Sequence, residues 1–134
     1  MKEITIRHLE KPPQKNIEND LNWIFNSLGL SSGRDIKCLA NEIVKYIIKT
    51  SSQGLNVSSD KIAADLNLTR YTVNHHLRNL INSGLLYRDK RLIYLRGGTL
   101  KAALQELRKD IDRIFDELEL MAEEIDAELG FINR

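Results

Sequence analysis

Apolar residues recur along the chain with changing period, and the changes divide it into segments. In residues 1–13, Ile4, Ile6 and His8 alternate with Thr5 and Arg7, the two-residue period of a short strand, until Pro12 and Pro13 interrupt any regular element. This segment reads as an N-terminal arm. From Lys15 to Leu28, Ile17, Leu21, Ile24 and Leu28 return at helical spacing and Gly29 ends the pattern. Ser32, with Asp35 three residues on, offers an N-cap for a second helix whose broad apolar face is Ile36, Leu39, Ala40, Ile43, Ile47 and Ile48.

A turn-rich break, SSQGLNVSS, follows. Ser59 then stands where it can cap a short helix carrying Ile62, Ala63 and Leu66. Asn67 and Leu68 make a tight turn, and Thr69 caps a further helix that runs to about Ser83 and stops at Gly84, a residue that tolerates the left-handed C′ position. In LLYRDKRLIYLRGG, two aliphatic and aromatic segments flank a polar turn, the pattern of a β-hairpin closed off by Gly97 and Gly98. After Thr99 as a cap, Leu100, Leu104, Leu107, Ile111, Ile114, Leu118, Met121 and Ile125 step by alternating four and three residues, a sustained heptad seam. Roughly thirty helical residues at about 1.5 Å each make an element about 45 Å long, more than a small domain covers, so the seam asks for a partner helix.

The expected fold is mainly α with a small β-hairpin (α+β): a winged helix-turn-helix with an added N-terminal helix and a long, coiled-coil-like C-terminal helix. The divisions are an arm at 1–13, a DNA-binding domain at 14–98 and a dimerisation helix at 99–134. The dimer interface is expected to hold Trp23, Leu104, Leu107, Ile111, Ile114, Phe115, Leu118, Met121 and Ile125, with Phe115, Ala122 and Leu129 widening the stripe. Trp23 lies off the stripe of its own helix and needs a second surface, either another subunit or its own domain.

Composition changes this picture in two ways. The net charge of +1 hides a segregation: residues up to Gly98 hold fifteen Lys and Arg against nine Asp and Glu, while residues from Thr99 hold five against ten. A basic body suits a polyanion, and an acidic extension suits a different partner or none. Cys38 is the one cysteine, which leaves no internal disulfide and no zinc site built from cysteine pairs. The N-terminus carries charges where a signal peptide needs an apolar run, and no apolar run is long enough to span a bilayer, so a cytoplasmic location is expected.

The candidate chemistry lies between Thr69 and Ser83. On a helical wheel Val73, Leu77, Leu80 and Ile81 gather on one side, and Tyr71, His75, Arg78, Asn79 and Asn82 on the other, with no acid anywhere in the stretch. Arg pairs bidentately with guanine and Asn with adenine, while Tyr, Thr and His bond phosphates or base edges. The helix spanning 70–83 is therefore expected to read the major groove. Arg70, Tyr71, Asn74 and His75 are placed for bases, Thr69 and Thr72 at the helix start, and Arg78 for phosphate. Arg88, Lys90 and Arg91 around the hairpin turn reach the adjacent backbone or minor groove. His76, on the margin of the apolar stripe, reads as a packed histidine; adjacent helix positions point about 100° apart, so the His pair is a poor chelate.

The segment IAADLNLTRYTVNHHLRNLINSGLL resembles the helix-turn-helix core of ArsR-type winged-helix repressors, with MarR-like proteins as near neighbours, through a capping Ser/Thr followed by TV-HHL--L---GL. The resemblance covers roughly Val57 to Leu95. It implies a homodimeric DNA-binding transcription regulator with a recognition helix from Thr69 and a wing at 87–95. Metal-sensing members carry Cys-x-Cys where this chain has Ser58 and Asp60, and others use His on the last helix, which has none here. Thiolate metal sensing is not expected, no cofactor is called for, and a small-molecule effector stays open. A second reading is a winged-helix module that binds protein, its heptad helix joining a different chain. The sequence has no P-loop, dinucleotide-binding glycine pattern or nucleophile motif to support an enzyme.

Overall fold

The computed structural model describes residues 2–30 and 37–131. They form five helices and one hairpin: α1 (Ile17–Ser27), α2 (Leu39–Ser52), α3 (Ser59–Leu66), α4 (Arg70–Asn82), β1 (Leu86–Asp89), β2 (Leu92–Leu95) and α5 (Leu100–Leu129). Four of the helices start where a polar side chain satisfies an otherwise unpaired backbone N–H. Asn16 Oδ1 accepts from Glu18 N at 2.9 Å, and the hydroxyls of Ser58, Thr69 and Thr99 each accept from the third residue on at 3.1 Å. Each such cap stabilises its helix by about 1 kcal/mol. The cap of α3 is Ser58 rather than Ser59, because Ile93 N–H bonds Val57 O at 2.8 Å and holds the chain extended until Ser58. Gly84 follows α4 at φ +86°, the left-handed conformation expected of it.

The second helix begins later than its apolar pattern suggests. Its N-cap position is Cys38, left-handed at φ 54° and without a side-chain cap, so this exposed cysteine stands at the entrance of α2 and not within it. The proposed cap Ser32, its partner Asp35 and Ile36 lie outside the described residues. From Leu39 on, α2 is the centre of the molecule and packs against α1, α3, α4 and β2. Ile43, Val44 and Ile47 are fully buried there with Phe25, Ile62, Val73, Leu77, Leu85 and Ile93.

That centrality also buries polar residues which the periodic pattern did not mark. Asn41 Nδ2 donates to Asn26 Oδ1 at 3.1 Å across the α1–α2 contact. Lys45 lies between Glu18 and Glu42, 3.2 Å from each. Burial by itself would push the Lys45 ammonium down, but the two carboxylates outweigh it and hold it above the ordinary lysine value. A buried charge that kept only one of these acids would be costly, which ties α1 to α2 in a fixed register.

The arm is not a strand. The hairpin, with register Leu86↔Leu95, Tyr87↔Tyr94, Arg88↔Ile93 and Asp89↔Leu92, is a two-stranded sheet that the arm does not join. Alternation alone does not place a segment in a ladder when its backbone groups are satisfied elsewhere. The arm instead satisfies its backbone at helix ends: Lys2 N–H donates to Asn82 O at 2.8 Å and Arg7 N–H to Ser27 O at 2.7 Å. Ile4 packs on the core while Ile6 faces solvent. Trp23 lies under the arm, its Nε1 donating to Leu9 O at 3.0 Å with Lys11 Nζ 5.8 Å from the ring centre.

Helix α5 is one unbroken element ending at left-handed Gly130, and only its first third touches the body. Leu100, Ala103, Leu104, Leu107, Asp110 and Ile111 are buried or half-buried, so Leu104 and Leu107, expected at the dimer interface, are taken up by the chain's own core, whereas every residue of α5 from Asp112 onward is exposed. Among the described residues no helix is long and apolar enough to cross a membrane.

Candidate nucleic-acid interface

Helices α3 and α4 meet across a turn that requires one residue in the left-handed region. Asn67 occupies it at φ 55°, donating its N–H back to α3, and Leu68 folds inward against the core. Asn tolerates this conformation better than most residues because its side chain bonds locally. Val73, Leu77 and Leu80 then fix α4 on α2 and α3, which leaves the opposite side of α4 to solvent.

The structure gives the expected contact residues different surroundings. Tyr71, His75 and Arg78 project outward, Tyr71 most of all at 82 % exposed. Arg70 also projects, but its Nε pairs with Asp60 Oδ1 of α3 at 2.9 Å. Both groups are largely solvated, and such a pair is worth at most about 1 kcal/mol, little to give up for a base or phosphate. Thr69 and Thr72 turn to each other instead: Thr69 Oγ1 caps the helix through Thr72 N–H and donates to Thr72 Oγ1 at 2.9 Å.

Asn74 is half-buried. Together with Arg78, Ile81 and Asn82 of α4 and Arg88 of β1, it lines a notch of about 350 Å³ between the helix and the hairpin. The strand register explains why Arg88 comes there. Leu86, Arg88, Ile93 and Leu95 share the face that packs on the body, while Tyr87 and Tyr94 stack on the opposite face with ring centres 5.2 Å apart. Arg88 ends that face toward the tip and, though exposed, borders the notch beside α4. No acid lines this notch, and two arginines with two asparagines suit a phosphate oxygen or a base edge.

At the tip, Lys90 and Arg91 occupy a two-residue turn with φ 49° and 72°. A turn with positive φ at both central positions matches the twist of the flanking strands and normally takes Asn-Gly. Here two long cations hold it, each at a cost of roughly 1–2 kcal/mol for the left-handed conformation. His75 and His76 meet edge to face at 5.4 Å, and His76 turns toward a cavity of about 260 Å³ behind α4 that the arm helps to line. Among the described residues no group of three or more His, Cys, Asp or Glu side chains is arranged to hold a metal ion.

One linked set of residues left no mark in the sequence pattern. Arg96, just after β2, forms a forked pair with buried Asp110 of α5 and also reaches Gly84 O at 3.4 Å; Arg113 pairs with the same carboxylate from outside. The Arg96 guanidinium beside it holds the Asp110 carboxyl below the usual carboxylate range. Fourteen residues separate the partners, a distance that neither helical nor strand periodicity signals. Comparison with protein-family models, with curated proteins and with solved structures finds no match to this chain.

Proposed function

We propose that the chain is a homodimeric, sequence-specific DNA-binding transcriptional regulator, a repressor by its resemblance, built as a winged helix-turn-helix. In this reading α4 enters the major groove, the hairpin is the wing, and the distal part of α5 joins two copies. The observation that carries it is the acid-free outer surface of α4 set beside a hairpin that keeps Lys90 and Arg91 in an unfavourable backbone conformation. The turn needs positive φ at both positions, but Asn-Gly would hold it with less strain, so the choice of residues is best explained by what it presents, two cations at an exposed tip.

Roles follow from position. Arg70, Tyr71 and His75, near the start of α4, lie where a recognition helix meets base edges. Asn74, Arg78 and Arg88 act together, seating a backbone phosphate in the notch or lending Asn74 to an adenine beside it. Lys90 and Arg91 hold the flanking backbone or minor groove. A two-fold axis through α5 would present two α4 helices to successive major grooves about 34 Å apart, which calls for an approximately palindromic site.

The test is selection of bound sequences from a random duplex pool, followed by titration of the selected site across a salt series. Arg78, Arg88, Lys90 and Arg91 from two protomers make up to eight phosphate contacts, and each contributes about −0.9 to the slope of log K against log salt. A slope near −7 loses roughly 10⁴ in affinity between 50 and 200 mM salt. Replacing Arg70 or Asn74 by Ala should relax preference at one position per half-site by about 1–3 kcal/mol, and replacing Lys90 or Arg91 should weaken all sequences alike. Failure to enrich any sequence, with salt-insensitive or absent duplex binding, refutes the reading in favour of a protein-binding module.

A further inference from the structure

The heptad helix leaves the body at one place, and an ion-pair cluster around the buried Asp110 carboxylate stands there. Asp110, with its side chain 5 % exposed, is the last fully buried residue of α5, and the apolar contacts before it are few: Leu100, Ala103, Leu104 and Leu107. Beyond it, residues 111–129 project as a rod of about 28 Å at 1.5 Å per residue. A swing of about 10° at its base would move the far end by about 5 Å, more than the roughly 3.4 Å rise of one base pair. A rod used to join two DNA readers in register therefore needs a stiff base.

Arg96 supplies the stiffness on geometric grounds. Its guanidinium forks onto both Asp110 oxygens, with Nη2 3.1 Å from Oδ1, and its Nη1 also donates to Gly84 O at the end of the α4 segment. Its backbone N–H bonds Leu85 O at 2.9 Å. Through its side chain and its backbone N–H, Arg96 thus joins the end of α4, the base of the hairpin and α5. Glu106, 3.8 Å from Arg96, and Arg113, paired to Asp110, restrain the same two groups from either side. A forked Arg–carboxylate pair fixes orientation as well as distance, which a lysine or an apolar contact does not.

We infer that the Arg96–Asp110 pair is a positioning joint: it holds α5 at one angle to α4 and the hairpin, and so determines the half-site spacing that the dimer accepts. The inference rests on the DNA-binding reading above. Neither residue touches DNA; both act through the elements they join.

Two measurements on the full chain test it, one with DNA and one without. In the first, Asp110→Asn and the milder Arg96→Lys are titrated against palindromes whose half-sites are moved apart or together by one base pair, each step turning a half-site by about 34°. The unaltered chain should discriminate between adjacent spacings by about ten-fold or more, and the variants by less than about three-fold, with affinity for a single half-site kept within about two-fold. In the second, spin labels at Lys90→Cys and Glu119→Cys in a Cys38→Ser background, labelled chains diluted into unlabelled ones, report the hairpin-to-rod distance. It should be narrow in the parent and broad in Asp110→Asn. Arg96→Lys keeps the charge and serves if Asp110→Asn melts too low to assay.

An unchanged distance distribution, an unchanged spacing profile, or an equal loss at every spacing and on the half-site overturns the joint. Absence of any duplex binding by the parent overturns instead the reading beneath it, and the label distances still decide whether the pair fixes the helix.

Discussion

Replacing Leu118 by Glu should abolish self-association and leave the fold of each chain intact. Ile114, Phe115, Leu118, Met121 and Ile125 are 42–58 % exposed on a helix whose own domain does not reach them. Full burial of such a side chain is worth about 1.5–3 kcal/mol, so covering the remaining half contributes about 1 kcal/mol each, or about 10 kcal/mol for ten side chains from two chains. Association itself costs at least about 4 kcal/mol, leaving no more than about 6 kcal/mol from this stripe, a dissociation constant in the tens of micromolar. Two glutamates placed in the seam forfeit about 2 kcal/mol of burial and add about 2 kcal/mol of polar desolvation. The sum, about 4 kcal/mol, is close to a thousand-fold in dissociation constant. Sedimentation velocity over a concentration series reads this directly, with Asp116→Ala on the opposite side of the helix as control. Residues 114–129 hold seven acids and no base, so raised salt should tighten the parent dimer while it weakens DNA binding. A Leu118→Glu chain that dimerises like the parent, or a parent that stays monomeric at every concentration, refutes the pairing of α5.

Further outcomes are specific to single positions. Exchanging Lys90-Arg91 for Asn-Gly should raise hairpin stability by about 1–2 kcal/mol, seen as a higher melting temperature, while lowering affinity for all duplexes; tighter DNA binding would contradict the role of the tip. Gly97→Ala should destabilise by about 2–4 kcal/mol, because φ is +77° and the new Cβ would lie 2.8 Å from Ala102 Cβ. Gly98→Ala, with open space around the same backbone conformation, should cost only about 1 kcal/mol; equal effects in thermal melts would discount the steric contact. Because Arg96 lowers the folded-state pKa of Asp110, the pair stabilises the fold at pH above the unfolded value of about 3.9 and loses this contribution as pH falls through the lower folded value. Thermal melts should therefore show a drop below about pH 4 that Asp110→Asn diminishes.

The local elements of this protein follow from its order of residues. A cap at Thr69, an apolar stripe at Val73, Leu77 and Leu80, and a glycine after Ser83 specify α4 without reference to anything distant. The same holds for Thr99 and the heptad leucines of α5, and for the hairpin around Lys90 and Arg91. The exposed face of α4 is legible too, since the polar side of an amphipathic helix faces solvent unless another segment closes over it. What the pattern could not carry was anything decided between segments. The arm has strand alternation but joins no sheet; its backbone groups are taken up along α1 and at the end of α4. Arg88 reads as a tip cation but borders the notch beside α4 while staying exposed, because strand register and not proximity in sequence decides its face. Asn41 and Lys45 look like surface residues until α1 closes over α2, and Arg96 and Asp110 meet only when the hairpin and α5 dock. Periodicity records how a segment sorts itself between water and a core; which charges a core encloses, and what they face, depends on chain brought together from far apart, and tertiary packing alone decides it.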